Sequence, residues 1–401
     1  MTHTTFGRLA GLAAMLLAGS ALAQTLKIGV LTDMSGPYSD LAGPGSVEAA
    51  RLAVEDFGKK VLGQDIEIVV GDHTHKPDVG VGIARQWFER DNVDMLIDLA
   101  NSAIALGVTN LAKEKKKVAI FSSAATERLS EDMCNGYGLH WASDTYSQTF
   151  GGVGSAVKLG FDSWFIMAGN YEFGHSMQAA MEEAIKAAGG KVVGSLRFPV
   201  GTLDFSSFLL QAQASGAKMI NIIAGGTDTI TAVRQAHEFG LVDKTRRLSN
   251  PVVYLTDVHS AGLKDMAGMQ VVVPWYWDYD ERTRAFAKRF FAKMKKMPTE
   301  PQGGVYSGVL QYLKAVQAAG SKDSDKVLAK MQQMPMDDMF SRNGRLLPNG
   351  RMIHDMFLAE VKSPSESKYP WDYYRILSVI PADKAFRPLK DSKCPLVAGK
   401  N

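Results

Sequence analysis

Apolar residues arrive along this chain in two alternating rhythms. Short, largely apolar runs at residues 26–31, 65–70, 95–99 and 118–121 predict strands. Between them, residues 46–57, 79–90 and 103–114 return an apolar side chain every three to four positions, as an amphipathic helix requires. Strand and helix in alternation predict βαβ units, hence a mostly parallel sheet covered on both faces. The pattern then restarts. Helices are predicted at 149–159, 174–188, 205–214 and 228–239, and strands at 163–168, 191–197, 219–224 and 252–255. Each set is long enough for one domain of ordinary size, and the join at 139–146 has no Pro/Gly/Ser linker, so the halves are expected to be closely coupled.

The last part of the chain does not begin a third domain. A strand at 271–274 runs into Trp275-Tyr276-Trp277, two long helices follow at 281–296 and 302–319, and strand-like runs occupy 352–361 and 373–380. Two helices cannot cover their own apolar faces, so they are expected to pack back on the first half, with the late strands extending the second. The expected division is 24–143 plus 275–345 for lobe 1, 144–274 plus 346–382 for lobe 2, and 383–401 as a docked tail. Two α/β lobes joined by several crossing segments form a clamp, with the ligand cleft at the strand C-termini.

The first two dozen residues are of another kind. Residues 9–22, nearly all Ala, Leu, Gly and Met, follow Arg8 and end at Ala21-Leu22-Ala23. This predicts a secretory signal peptide over residues 1–23, too short to span a bilayer, and places the mature chain in the periplasm by the Sec pathway. Export gives the two cysteines a meaning: Cys134 and Cys394 are the only pair available, and an oxidising compartment lets them bridge and dock the tail.

Charge narrows the choice further. Lys and Arg number 45 against 42 Asp and Glu, for a formal net charge of +3 across 401 residues. No long basic run is interleaved with aromatics, which argues against a nucleic-acid binder. Lys115-Lys116-Lys117 reads as a solvated helix C-terminus. His73 and His75 sit in a loop and read as solvent-exposed rather than as a metal pair. Neither metal nor cofactor is expected. The chain lacks a Gly-x-x-x-x-Gly-Lys-Ser/Thr loop, a Gly-x-Ser-x-Gly elbow and a His-Glu-x-x-His helix, and Gly151-Gly152-Val153-Gly154 lacks the third glycine and preceding strand of a dinucleotide fingerprint. An enzyme is therefore not expected.

What remains is polar loops at strand ends. Residues 33–41, which include Ser35 and Tyr38, follow the first strand. Asn101 and Ser102 follow the third and would cap the next helix. Residues 122–126 follow the fourth, while 170–174 and 256–259 hold the equivalent edge of the second half. Backbone N–H groups and hydroxyls at helix starts suit a small carboxylate.

Lys27-Ile28-Gly29-Val30-Leu31 followed by Met34-Ser35-Gly36-Pro37 resembles the opening of the periplasmic branched-chain amino acid binding family, the type I solute-binding components of ABC importers. The resemblance covers essentially the whole mature chain. Ser122-Ser123-Ala124-Ala125-Thr126 resembles the family's Ala-Ala-Thr ligand loop, and Asn170-Tyr171-Glu172-Phe173-Gly174-His175-Ser176 its Asp-x-x-Tyr-Gly-x-Gly loop. Asp257 stands where amino-acid binders hold the ligand's ammonium. Phe173 replaces a stacking tyrosine with Tyr171 two residues earlier, and Gly225-Gly226-Thr227 replaces an aromatic-bearing segment, which should enlarge the cleft. Together with Asp257-Val258-His259, the Tyr-Trp-Asp element beside Trp275 and Cys394-Pro395-Leu396, these resemble a subgroup associated with aromatic acids.

The resemblance implies an α/β, type I periplasmic-binding-protein fold with two doubly wound parallel-sheet lobes and a multi-segment hinge. A small anion would accept hydrogen bonds from Asn101, Ser123 and Thr126 of one lobe, while Phe173 and His259 close from the other. Ser102, Ser122, Ala124, Gly226, Thr227, Trp275 and Tyr306 complete the expected site. The implied partners are a small-molecule ligand and membrane permease subunits with cytoplasmic ATPases, the binding protein itself being a monomer. An aromatic carboxylate is the favoured ligand. A branched-chain or other amino acid, with Asp257 on its ammonium, is the alternative, and a periplasmic sensor role is a third reading.

Overall fold

The structure, a computed structural model, describes residues 25–397. The expected signal peptide lies outside the described residues, as do residues 398–401.

The first lobe is built by β1 (Leu26–Thr32), α1 (Gly43–Phe57), β2 (Lys60–Val61), β3 (Gln64–Asp72), α2 (Pro77–Glu89), β4 (Met95–Asp98), α3 (Ser102–Lys115), β5 (Val118–Phe121) and β6 (Gly138–His140). The sheet order is β2-β3-β1-β4-β5-β6, parallel except where β2 folds back on β3. Central strands β4 and β5 are buried at every position because helices cover both faces, which is why β5 reads as an unbroken apolar run and β4 as one ended only by Asp98. The second lobe follows as α4 (Thr145–Lys158), β7 (Ser163–Gly169), α5 (Glu172–Ala187), β8 (Lys191–Phe198), α6 (Ser206–Ala214), β9 (Met219–Ile223), α7 (Thr227–Glu238) and β10 (Arg247–Ser249). Its strands run parallel in the order β10-β9-β7-β8.

The strand expected at 252–255 does not form. Pro251 has no N–H to give a ladder, and Tyr254 serves instead as the N-cap of α8 (Leu255–Ala261), its own N–H held by Asp257 Oδ2 at 3.1 Å. The edge strand is β10, which carries a single fully buried apolar residue, Leu248, and gives little periodic signal. Next come α9 (Leu263–Met266), β11 (Gln270–Val273), α10 (Glu281–Met294), α11 (Glu300–Ala319), α12 (Ser324–Gln333), β12 (Arg345–Leu346), β13 (Met352–Ile353), β14 (Met356–Val361), β15 (Tyr374–Ile380) and α13 (Ala382–Ala385). The run expected at 352–361 is broken in two at His354 and Asp355. Helices α10 and α11 pack on α1, and α12 packs on α11. Strands β11, β14 and β15 make a separate antiparallel sheet beneath α4.

The chain passes between lobes three times: after β6, after β11, and between β13 and β14. The first and third passages lie side by side. His354 Nε2 meets the Ala142 carbonyl at 2.7 Å, Arg351 Nη2 donates to the same carbonyl at 2.8 Å, and its Nε stands 3.4 Å from Asp144. The second passage is anchored by indoles: Trp275 Nε1 donates to Met339 O and Trp277 Nε1 to Trp371 O, both at 3.0 Å. After β15 the tail returns to the first lobe. Arg387 bonds Glu127 at 3.0 Å and Glu183 of α5 at 3.2 Å, Lys393 N–H donates to Glu131, and Cys134 and Cys394 form a disulfide across a 5.6 Å Cα separation.

Candidate functional site

The C-terminal ends of β1, β4 and β5 face those of β7 and β9 across a cleft of about 350 Å³. Its walls are Tyr38, Leu41, Ala100, Asn101, Ser102, Ser123, Ala124 and Ala125 from the first lobe, and Tyr171, Phe173, Gly225, Val252 and Tyr254 from the second. No Lys or Arg is among them. Of these, Ala100, Val252 and Tyr254 carry no polar strand-end signal and sequence reasoning passed over them, while Leu41 and Ala125 lie in loops it singled out.

The lobes touch at an aromatic clasp. The hydroxyls of Tyr38 and Tyr171 hydrogen bond to each other across the cleft, and burial pushes both phenols well above their ordinary pKa. His75 stands edge-on to Tyr38 at 4.7 Å and 5.8 Å from Tyr171. The expectation of solvent-exposed histidines is corrected here: His73 is fully buried and His75 half-buried. Burial lowers both, His73 to about 4, so both are neutral at physiological pH. Asn101 Nδ2 donates to His75 Nε2 at 3.1 Å, and Asp33 holds the Tyr38 loop by accepting the N–H of Gly36 at 2.8 Å and of Tyr38 at 2.9 Å. Gly226 closes the other side. Its φ of 58° suits glycine, and a Cβ there would come within 2.3 Å of the Pro37 carbonyl oxygen.

The expected donors are in place, yet most are already engaged. Asn101 Oδ1 caps α3 by accepting from Ala103 and Ile104 N–H. Ser123 and Ser122 both donate to the buried carboxylate of Asp98, whose φ of 89°, with 59° at Leu99, turns the chain so that Ala100 to Ser102 face the cleft. Thr126 is wholly buried; its hydroxyl donates to Glu172 at 3.1 Å and its N–H to Ser102 Oγ at 3.3 Å. The amides of Ala124 and Ala125 take no protein partner. Neither α5 nor α7 has a side-chain cap at its start; α5 begins on the cleft wall with Phe173 in its first turn, so its first N–H groups face that space.

Acid groups ring the cleft without bases. Asp257 lies beneath Tyr254, and burial pushes it up to about 8. Glu300, at the inner end of the interlobe space beside Val252 and Tyr254, is pushed up to about 8 for the same reason. Asp98 and Asp228 are also raised by burial.

The remaining expected residues are not brought into the cleft. Ser35 is exposed and donates to Asp72 at 2.7 Å, and Thr227 is exposed on α7. His259 stacks on Trp371 at 3.9 Å on the surface, with Tyr373 on its Nδ1. Trp275 is core at the second passage, and Tyr306 is buried between α11 and α1, donating to Asp56 at 2.7 Å. Both aromatics belong to helix packing that the local sequence does not separate from a ligand wall. Among the described residues no cluster of three or more His, Cys, Asp or Glu could hold a metal, and no helix is long and apolar enough to cross a membrane.

Comparison with known proteins gives this geometry a context. The sequence pattern of a family described as periplasmic binding protein matches residues 25–368. A periplasmic binding protein from Burkholderia mallei is 45% identical, with a TM-score of 0.91 over 93% of this chain and 99% of that one. A branched chain amino acid ABC transporter periplasmic ligand-binding protein from Burkholderia xenovorans LB400 is 47% identical, with a TM-score of 0.84 over 93% and 100%. A solute binding protein of an ABC transporter from Rhodopseudomonas palustris HaA2, in complex with p-hydroxybenzoic acid, shares the fold at 24% identity and a TM-score of 0.82, over 90% and 99%.

Proposed function

The chain belongs to the periplasmic binding protein family, substrate-binding components that work with ABC permeases, and on that premise we propose that it captures a small aromatic carboxylate by lobe closure. One observation carries the choice: a cleft walled by four aromatic rings and small side chains, with no Lys or Arg, onto which the uncapped N-terminus of α5 opens. The ring of the ligand packs among Tyr38, Tyr171, Phe173 and Tyr254. Its carboxylate takes the free amides of Ala124 and Ala125 and the first turn of α5, where aligned peptide dipoles favour negative charge. Closure brings Tyr38 to Tyr171, and a ligand that touches both walls stabilises the closed state by its differential affinity.

Asp257 favours a second reading. A buried carboxyl with no base beside it would ionise readily against the ammonium of an amino acid. The two readings differ in protons. An ammonium ligand converts Asp257 to its carboxylate and releases about one proton, whereas an aromatic acid binds without release. Calorimetry of the mature protein at pH 7 with 4-hydroxybenzoate, cinnamate, leucine and valine, in buffers of different ionisation enthalpy, tests this. Tight binding of an aromatic acid with no proton release is expected. Tight binding of leucine or valine alone, with a proton released, overturns the proposal.

A further inference from the structure

A second pocket, open to solvent at its mouth and spanning about 610 Å³ with that opening included, lies in the second lobe at the seam between its parallel sheet and the β11-β14-β15 sheet, roofed by α4. It shares no lining residue with the cleft walled by Tyr38 and Tyr171, and it meets the inner interlobe space beside Glu300 only at Gln148, Pro251 and Val272. Strand periodicity explains its floor. Met219 and Asn221 of β9, Arg247 and Ser249 of β10, and Trp164 of β7 project from the same face toward α4. Most of the lining is apolar, but three buried polar atoms in it have no partner: the indole Nε1 of Trp164, Oδ1 of Asn221 and Oε1 of Gln148. Trp164 is 2% exposed, Asn221 0% and Gln148 6%. Orphaned polar atoms are rare in folded proteins, and three around one cavity amount to an unfilled hydrogen-bonding pattern of one donor and two acceptors. The Asn221 amide is not free to turn away, since its Nδ2 donates to Ser249 Oγ at 2.7 Å. At the mouth stands the Arg247 guanidinium, 4.7 Å over the Phe161 ring.

We propose that this cavity is a second small-molecule site, for an amphipathic aromatic anion that carries an N–H or hydroxyl on its apolar body. The body fills the space between α4 and the floor. A hydroxyl there accepts from Trp164 and donates to Asn221 or Gln148, an N–H donates to one of the same two oxygens, and the acidic group meets Arg247. Occupancy would brace α4, the first element after the first interlobe passage, against the sheet. The site stands independently of what the interlobe cleft binds.

The probe is 8-anilinonaphthalene-1-sulfonate, which has the aromatic body, the N–H and the anion. The assay is a fluorescence titration of the full mature chain. Wild-type protein should bind one equivalent saturably. Gly152→Leu should weaken binding at least tenfold without unfolding the protein: a Cβ at Gly152 meets only Val272, at 3.8 Å, and leucine is the better helix former. Ala156→Phe, one turn along the same roof, should act alike, and Arg247→Gln should weaken binding threefold or more. Ala124→Trp, which fills the interlobe cleft instead, should leave the titration unchanged. Absence of saturable binding, wild-type affinity in a folded Gly152→Leu protein, or loss in Ala124→Trp overturns the proposal. A crystal structure of the wild-type protein with the probe decides it without any variant, and density for the probe anywhere but under α4 also overturns it.

Discussion

Replacing one hydroxyl of the clasp should damage binding more than replacing both. Tyr38 and Tyr171 come from opposite lobes, and their hydroxyls pair where burial already pushes both phenols upward. In the open form water satisfies each hydroxyl. In the closed form each has only the other. Tyr38→Phe or Tyr171→Phe therefore forces closure to bury one unpaired hydroxyl, at a cost of about 1–3 kcal/mol, whereas the double variant buries none. If closure and binding are one equilibrium, each single variant should raise Kd by about 5- to 150-fold, and the double variant should return to within about fivefold of wild type. Isothermal calorimetry of the four proteins, with whichever ligand the calorimetric screen identifies, closes the double-mutant cycle. Near-additive losses would refute the reasoning, as would singles that bind like wild type. Either result would mean that the hydroxyls do not meet in the bound state.

The other expectations concern stability and protonation. Reduction of Cys134–Cys394 should lower Tm and leave ligand affinity intact, because the bond closes a separation of 260 residues and lies outside the cleft; the chain-entropy limit is roughly 5–6 kcal/mol, and an unchanged Tm on reduction would count against it. Asp257 has a raised pKa in the fold, about 8, against about 4 when unfolded, so the native state holds a proton that the unfolded chain has lost between those values. Its contribution is full below about pH 4 and is lost as pH rises through about 8; Asp257→Asn should flatten the fall of Tm between about pH 4 and 8, and parallel curves would refute the assignment. Asn101→Ala removes the cap of α3 and the partner of His75, and should cost about 1 kcal/mol in chemical denaturation, with no loss as the refuting result. Ser123→Ala leaves Asp98 one donor short, and both affinity and Tm should fall; a variant that loses affinity with an unchanged Tm would place the hydroxyl on the ligand instead of on Asp98.

Most strands and helices were legible because two-faced burial writes itself as short runs dominated by apolar residues, as in β5 and in Met95 to Ile97 of β4. Where a segment is buried without a ladder partner, that signal misleads: residues 252–254 look like a strand, yet Pro251 and the Tyr254 cap make them an approach to α8. The site was legible where polar groups follow a strand, as at Asn101, Ser123 and Tyr171. It was not legible where long-range packing decides. His75 reads as a loop histidine, and only the return of Tyr38 and Tyr171 over it buries the ring. His259, Trp275 and Tyr306 share the chemistry of ligand-facing residues, but Trp371, Met339 and Asp56 occupy them, and none of these is near in sequence. The cleft's apolar walls, Ala100 and Val252, look in sequence like any core residue.

Three passages leave the C-terminal segment on the far side of the clamp from where the chain began. The disulfide to Cys134, with Arg387 reaching Glu127 and Glu183 on the way, carries it back. Mechanically, the two lobes are then joined by four covalent links rather than three, and the fourth forms a closed ring with the others. A body held this way keeps bending as its easy motion, while sliding and axial twist meet a taut strut. The oxidised protein should thus open along one reproducible arc and present the same pair of lobe surfaces to a membrane partner on every cycle. Reduction would loosen the geometry of presentation before it touched the grip on the ligand.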